Sequence, residues 1–278
     1  MNSFISITTI IILINFLVSY KGFKNQLFYN KYTFTIDGVK LQKDYKRLIT
    51  SGFLHVSWMH LIFNMIALYF FSSSLEAYIG IANFLIIYFA GLLGGNLVSL
   101  FIHRFDSGYS SVGASGAVLA VMFSSIALFP GMSIGLFLLP VSLPGWFFGL
   151  AYVLFSIYGI RSRSNNIGHD AHLGGGLAGM VVAVLLYPSI FTVNYFTILI
   201  ITVPAIAFIL FIIYKPEALL IDNLFYKKSH YLTQEDKYNL RKRSKQKQMD
   251  DLLEKIHKRG INSLSQKEKE FLEKYSKR

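Results

Sequence analysis

Ser115 and His172 are the two side chains of this chain whose types and surroundings could do chemistry together. Each lies at or just inside an apolar run long enough to enter a membrane, where a histidine is costly and indicates a functional site by default. Serine is a weak nucleophile until a base takes its proton, and histidine suits that role because its unperturbed pKa lies near neutrality. The pair therefore indicates nucleophilic catalysis within a bilayer.

Two glycines, Gly113 and Gly116, flank Ser115. They let the backbone turn tightly, and a helix beginning there would aim free backbone N–H groups at a developing oxyanion. The segment 110–114 before this short helix predicts irregular backbone at membrane depth, which is tolerated where it lines a water-filled cavity. Taken alone, Gly-x-Ser-Gly is more often a packing seam of small residues than a catalytic site.

His172 begins an apolar helix in which Gly175 and Gly179 follow at i+3 and i+7. All three share one face, and the glycines allow another helix to approach that face closely. This geometry would bring His172 onto a serine of the neighbouring helix, although a structural histidine bonded to a backbone carbonyl fits the pattern equally well. Asp170 would point to a different face, so the residues predict a dyad rather than a triad.

Further polar side chains stand near the predicted membrane ends. His60 and Asn64 share a helix face and offer donors that suit an oxyanion, with structural hydrogen bonding between helices as the alternative. His55 and His169 have the positions of loop or supporting residues. Because no His-Glu-x-x-His spacing occurs and no acidic residue joins the histidines on one face, the sequence predicts no metal and no cofactor.

The composition separates a membrane part, residues 1–214, from a polar tail, residues 215–278. The chain is 53% hydrophobic and 15% charged, and the last 64 residues hold 17 of the 27 Lys and Arg and 10 of the 15 Asp and Glu. The net charge of +12 could suggest nucleic acid, but the positive residues lie in the tail and in loops, as is typical beside membranes. We therefore expect no nucleic-acid partner. The absence of cysteine excludes disulfides and thiolate chemistry.

Seven apolar runs come close to the roughly 20 residues that a spanning helix needs. They are Phe4–Tyr20, Trp58–Ser74, Tyr78–Phe101, Ser115–Phe129, Trp146–Ile160, Ala171–Tyr187 and Ile190–Tyr214. The first lacks a basic segment before it and is interpreted as a retained helix. The connection Lys21–Leu54 is expected partly in the membrane interface, and Gly131–Gly145, with two prolines, as an extended loop.

Four motifs occur in a recognisable order along the chain. They are Arg47-Leu48-Ile49-Thr50, His55-Val56-Ser57-Trp58-Met59-His60 followed by Asn64, Gly113-Ala114-Ser115-Gly116, and Ala171-His172-Leu173-Gly174-Gly175 with Gly179. With these motifs the chain resembles the rhomboid family of intramembrane serine proteases over about residues 1–188.

The resemblance implies a role for each matching residue. Ser115 would be the nucleophile and His172 the general base, while His60, Asn64 and the Ser115 backbone N–H would form the oxyanion hole. It also implies a water-accessible cavity, transmembrane protein substrates cut near the ends of their helices, and a cap over the site formed by Arg161–Gly168.

Two positions depart from the family pattern. The family usually has tryptophan before the arginine of the first-loop motif, where this chain has Lys46. Some members stack the catalytic histidine on a tyrosine four residues after the serine, where this chain has Leu119. Another group must therefore orient the His172 ring.

The fold expected is an all-α polytopic membrane protein. Residues 1–188 would form a rhomboid-like six-helix protease core, residues 189–214 a seventh transmembrane helix, and residues 215–278 a basic, polar, helical tail. Gly260 would end the first tail helix and Ser263 or Ser265 would cap the second. The tail is interpreted as a solvated helical face, with binding of an unidentified partner or the lipid surface as the alternative.

The expected location is a bacterial cell (inner) membrane, in contact with the lipid bilayer. The excess of Lys and Arg places the active site toward the cytoplasm, whereas the resemblance implies the outer side. Two other functions stay open. One is a non-proteolytic relative that binds membrane helices for quality control, and the other is a transporter, for which the inverted repeats are missing.

Overall fold

The computed structural model describes residues 6–135, 142–162 and 167–214, together with six residues of the tail. In chain order the elements are α1 (Ile7–Lys24), α2 (Gln26–Tyr32), β1 (Phe34–Thr35), α3 (Ile36–Lys40), α4 (Arg47–Thr50), a 3₁₀ turn (Ser51–Phe53), α5 (Trp58–Ile102), β2 (Ser110–Ser111), α6 (Ser115–Leu128), β3 (Ser133–Gly135), β4 (Ser142–Pro144), α7 (Gly145–Ser162), α8 (His169–Leu186), α9 (Ser189–Val193) and α10 (Tyr195–Tyr214). The predicted all-α membrane fold is confirmed, with two short strand pairs added.

Each of the seven predicted apolar runs lies on helical structure in the described ranges. The second and third runs together form α5, which is interrupted at Gly80, where φ is 77°. Glycine adopts this conformation without a steric cost. The helices α1, α5, α8 and α10 are long and apolar enough to cross a membrane, whereas α6 and α7 are shorter apolar helices. The number of crossings stays a prediction.

The seventh run is not the continuous helix that was predicted. It divides into α9 and α10 at Asn194, whose side-chain amide donates to the carbonyl oxygens of Ile126 and Ala127 at 3.1 and 3.0 Å. These carbonyls belong to the last turn of α6, which leaves them without partners inside the helix. The residue at which the run is interrupted thus also supplies partners for the end of α6.

The helix α6 lies at the centre of the core. Every residue from Gly116 to Leu128 is buried, as expected of a helix that is apolar all round. Small residues let α5 come close to its neighbours: a Cβ atom on Gly91 would lie 3.0 Å from the Gly116 carbonyl oxygen, and one on Gly95 would lie 2.6 Å from that of Ala171. Such approaches of backbone to backbone are typical of packed membrane helices.

Glu76, the single charged residue between positions 58 and 101, lies against the N-terminus of α1. Its carboxylate accepts hydrogen bonds from the backbone N–H of Ile7 at 2.9 Å and of Thr8 at 3.2 Å, and from the Thr8 hydroxyl at 2.7 Å. The first N–H groups of a helix have no internal partner and favour negative charge. Glu76 therefore fastens α1 to α5.

The first loop folds into short helices that Arg47 holds together. Its guanidinium donates to the carbonyl oxygens of Asn30 at 3.0 Å and Thr33 at 2.6 Å, and it pairs with Asp44 at 3.0 Å. Lys46, which replaces the expected tryptophan, lies 3.4 Å from the same carboxylate. Arg47 thus anchors this loop without the aromatic neighbour.

The segment 131–145 contains no helix before Gly145 in its described part. Strands β3 and β4 pair antiparallel, with Ile134 opposite Leu143. The predicted extended loop is confirmed there, and Pro140 lies outside the described residues. The other strand pair joins β1 to β2, with Phe34 opposite Ser111, and so links the first loop to the segment before Ser115.

The chain divides into two compact units, residues 1–222 and 223–278. In the second unit Leu252 and Lys255 are helical, and Lys255 pairs with Glu268 at 2.8 Å. The Glu268 carboxylate also accepts the backbone N–H of Ser265 at 2.7 Å, which is one half of a capping box. The predicted helix end at Gly260 lies outside the described residues.

Candidate active site

Ser115 is half-buried and is the first residue of α6. The segment before it is fixed by Gly113, whose N–H donates to the Ser51 carbonyl at 3.0 Å and whose φ is 135°. A residue with a side chain rarely adopts that angle. A Cβ atom on Gly113 would lie 2.8 Å from His60 Cε1 and 3.7 Å from Ser115 Oγ. The His60 ring and the Ser115 hydroxyl therefore lie beside the same glycine.

Candidate N–H donors lie on α5 and at the start of α6. Asn64 follows His60 by one turn of α5, and its side-chain amide donates to the His60 carbonyl at 2.9 Å. His60 Nδ1 has no hydrogen-bond partner among the described residues. The N–H groups in the first turn of α6 have no partner inside that helix. His60, predicted for the oxyanion hole, thus lies beside Gly113 next to the start of α6, and Asn64 follows it one turn later on the same face of α5.

His172 is buried in the first turn of α8, and its Nδ1 forms a hydrogen bond of 2.9 Å with the Tyr152 hydroxyl. In the described part of the chain, no hydrogen bond joins His172 to Ser115 Oγ. Catalytic hydrogen bonds are often long in unliganded proteins and tighten when substrate binds.

Close packing of α6 on α8 brings Ser115 and His172 toward one another. Gly175 lies so close to Gly116 that a Cβ atom on Gly175 would overlap the Gly116 carbonyl, and one on Gly116 would lie 3.3 Å from the Ala171 carbonyl oxygen. Ser115 precedes Gly116, and His172 lies one turn before Gly175. The two polar residues therefore stand at the ends of helices whose first turns touch, while their catalytic roles stay a prediction.

The sequence interpretation missed Tyr152. This residue is one of 17 tyrosines and lies on α7, a different helix from both Ser115 and His172. No spacing relates it to either of them, so only the packing of α7 on α8 reveals the contact. The one available signal was Leu119, which indicated that some other group must orient the His172 ring.

Asp170 forms a cluster of its own. Its carboxylate accepts the Tyr109 hydroxyl at 3.1 Å and lies 3.4 Å from His103 Nε2, and the rings of His103 and Tyr109 stack at 3.6 Å. Burial and the charge of Asp170 raise the pKa of Tyr109, so that its hydroxyl stays protonated and donates. The cluster ties the first turn of α8 to the loop after α5, and Asp170 makes no hydrogen bond to the His172 ring within the described residues.

His55 is buried between α1 and the segment before Ser115. Its Nδ1 hydrogen-bonds Ser19 Oγ at 2.8 Å, and its Nε2 accepts the Ala114 N–H over a long 3.5 Å. Burial, with a smaller contribution from His60, lowers the pKa of His55 to about 3, so the ring is neutral at physiological pH. His55 thus occupies the supporting position expected of it.

The remaining predicted features lie around this centre. The His169 ring packs on Phe155 at 4.9 Å and lies 6.0 Å from the His172 ring. Of the predicted cap 161–168, residues 163–166 lie outside the described ranges. In the ranges that the structure describes, no three His, Cys, Asp or Glu side chains could hold a metal ion together.

The features of this site fall inside a recognised domain. Residues 42–189, slightly more than half of the chain, match the family model described as a rhomboid domain. The chain belongs to the rhomboid family. The rhomboid domain includes Ser115, His172, His60 and Asn64. Residues 232–278 of the tail match a second model, described as a family of unknown function (DUF6576).

Curated proteins from several organisms share the rhomboid domain. The chain is 36% identical over 148 residues to the mitochondrial Rhomboid protein 1 of Saccharomyces cerevisiae, covering 51% of this chain and 43% of that protein. It is 32% identical over 180 residues to the mitochondrial RHOMBOID-like protein 12 of Arabidopsis thaliana, covering 59% and 53%. It is 30% identical over 152 residues to Rhomboid protease GluP of Bacillus subtilis, covering 52% and 27%. The chain therefore spans about half or less of the length of these relatives.

Proposed function

We propose that this rhomboid protein is an intramembrane serine endopeptidase that cleaves transmembrane proteins by a Ser115–His172 dyad. The observation that carries the proposal is the contact of Gly116 with Gly175, which sets the serine and the histidine at adjoining helix ends. A relative from Bacillus subtilis that is named a rhomboid protease adds support. The proposed mechanism uses the hydrogen-bond donors and acceptors around Ser115 and His172.

In the proposed reaction His172 Nε2 accepts the Ser115 proton as Oγ attacks the substrate carbonyl carbon. The backbone N–H of Ser115 and the side chains of His60 and Asn64 donate to the oxyanion that forms. The imidazolium then protonates the leaving amine, which gives an acyl-enzyme on Ser115. His172 then deprotonates a water molecule, which attacks the ester carbon. The bond from that carbon to Ser115 Oγ breaks, the carboxyl product leaves, and Oγ takes the proton back from His172.

The experiment is cleavage of a transmembrane substrate in reconstituted vesicles. Wild-type protein is compared with Ser115→Ala, His172→Ala and Ser133→Ala, the last being an exposed serine on β3 that serves as the matched control. We expect both dyad variants to lose cleavage and Ser133→Ala to keep it. Undiminished cleavage by either dyad variant would contradict the assignment.

A non-proteolytic function in binding membrane helices is the second candidate. It is favoured by the lack of a hydrogen bond between Ser115 and His172 in the described residues and by the small residues along α5 and α8. A fluorophosphonate probe separates the two functions, because it labels only a serine activated for attack. Labelling that depends on Ser115 supports the protease, and its absence in folded protein supports the binding function.

The proposed function also leaves two questions of location: which membrane holds the protein, and to which side of it the active site opens. The predicted location in a bacterial inner membrane gains no support from the comparisons, because two of the relatives are named as mitochondrial proteins. Alkaline phosphatase fusions after residues 108 and 278, expressed in a bacterial host, decide between the two faces. High activity after residue 108 excludes a cytoplasmic active site, and low activity there excludes an outer one.

A further inference from the structure

We propose that Tyr152 is the positioning residue for His172: its phenolic oxygen accepts the Nδ1–H and so keeps the Nε2 lone pair directed to Ser115. The inference rests on the proposed protease function, since it assigns a partner to the general base of that reaction. It also supplies the orienting group that Leu119 leaves missing. The hydrogen bond has an ordinary length, 2.9 Å between Tyr152 Oη and His172 Nδ1.

Aromatic neighbours hold the Tyr152 ring in place. It meets Phe123 of α6 edge to face at 6.3 Å, and on α7 it contacts Phe148 at 6.5 Å and Phe155 at 6.3 Å. Aromatic pairs at these separations prefer defined relative orientations, so the ring has little freedom to turn away. The packing therefore directs the hydroxyl at His172 rather than leaving the contact to a mobile side chain.

The tautomer of His172 decides whether it can act as a base. A neutral imidazole carries its proton on one nitrogen and a lone pair on the other, and the hydrogen bond at one nitrogen selects the state of the other. If the Tyr152 hydroxyl donated to Nδ1, the proton would sit on Nε2 and Ser115 would have no acceptor. If Tyr152 accepts from Nδ1–H, Nε2 stays free to take the serine proton.

The acceptor role also fits the state after proton transfer. Both nitrogens of the imidazolium are donors, so a group that donates to Nδ1 would have to turn away during the reaction, whereas an acceptor keeps its bond. Hydrogen bonds from a charged donor are stronger than neutral ones. Tyr152 would therefore stabilise the imidazolium more than the neutral ring, as the aspartate of a triad does.

The other polar groups near His172 are engaged elsewhere. Asp170 is bonded to Tyr109 and lies beside His103, and the His169 ring is packed on Phe155. Among the residues that the structure describes, Tyr152 is the one side chain hydrogen-bonded to the His172 ring. The neutral phenol of Tyr152 thus occupies the position that the aspartate holds in a Ser-His-Asp triad.

The first test is Tyr152→Phe, which keeps the ring and removes the hydroxyl. Its matched control is Tyr158→Phe on the same helix, where the side chain is 67% exposed. We expect kcat to fall about tenfold with KM unchanged, as for the loss of one hydrogen bond in the transition state. The acidic limb of the pH profile of kcat should move to lower pH, and the Ser115-dependent fluorophosphonate labelling rate should fall in parallel.

A second variant separates the acceptor role from a donor role. With 3-fluorotyrosine at position 152 the hydroxyl and nearly the whole ring shape remain, while the oxygen becomes a weaker acceptor and a stronger donor. A lowered kcat supports the proposal, and an unchanged or raised kcat overturns it. Because the packing is retained, this variant also decides the matter if Tyr152→Phe does not fold.

Failure of the inference is distinguishable from failure of the function. If wild-type protein cleaves and Ser115→Ala does not, the protease assignment stands whatever Tyr152 does. If Tyr152→Phe then matches wild type in kcat and in pH profile, the positioning role is overturned alone. If cleavage survives Ser115→Ala, the proposed function fails and the role of Tyr152 in it fails as well.

Discussion

Gly175 of α8 lies against Gly116 of α6 with no room for a Cβ atom between the two backbones. Gly179, one turn further along, packs in the same way against Ala120. This seam sets the separation between the helix that begins with Ser115 and the helix that carries His172. Stability and activity should therefore respond together to a single methyl group in the seam.

Gly175→Ala is expected to destabilise the protein by about 1–3 kcal/mol, the usual cost of overpacking, and to abolish Ser115-dependent labelling because α6 and α8 separate. Thermal unfolding and fluorophosphonate labelling in detergent measure the two effects. Gly135→Ala is the control, since a Cβ atom there would meet nothing within 4 Å. Normal labelling of Gly175→Ala would contradict the role given to the seam.

His60→Ala and Asn64→Ala should each lower kcat by on the order of 10²-fold, because each removes a donor to the oxyanion. The KM is expected to change little, since the donor acts on charge that develops in the transition state. Met59→Ala, an exposed position at the start of the same helix, is the matched control. A change confined to KM would indicate that these side chains bind substrate instead.

Tyr109→Phe should destabilise the protein by about 1–3 kcal/mol, because the buried carboxylate of Asp170 loses a hydrogen-bond donor. The measurement is the unfolding temperature in detergent, with Tyr45→Phe at an exposed position as the control. Equal unfolding temperatures for the two variants would show that the cluster of Asp170, Tyr109 and His103 contributes little to stability.

The pH dependence of stability should carry a contribution from His55. Its pKa is 6.5 in the unfolded chain and about 3 in the folded protein, so between these values only the unfolded chain binds the proton. Stability is therefore full above pH 6.5 and falls as the pH is lowered, by up to about 1.4 kcal/mol per pH unit for this group. His55→Gln should show a shallower loss of unfolding temperature between pH 7 and pH 4, and parallel curves would refute the assignment.

Deletion of residues 245–278 should leave kcat and KM for a reconstituted substrate unchanged. The site residues all lie in the rhomboid domain, and the tail belongs to a separate compact unit. Cleavage assays on the full chain and the truncated chain, with unfolding curves to verify that both are folded, make the comparison. Lost activity in a folded truncation would assign the tail a catalytic or substrate-binding role.

Most of the helices and the candidate residues are predictable from the amino-acid sequence alone. Apolar runs of membrane length predict helices because a helix satisfies the polar groups of its own backbone inside lipid. Ser115, His172, His60 and Asn64 were identifiable because each lies at a motif beside such a run. The glycine face of α8 is predictable because Gly175 and Gly179 follow His172 at i+3 and i+7, positions that share one face of any helix.

Which side chains meet across helices depends on how the helices pack. Tyr152 reaches His172, Tyr109 reaches Asp170, and Asn194 divides the seventh run by bonding the end of α6. These partners lie on different elements, so no local period in the sequence relates them. Their contacts depend on how closely, and in which register, the helices pack. Leu119 indicates from the sequence that another group must orient the His172 ring, but only the packing of α7 on α8 identifies that group as Tyr152.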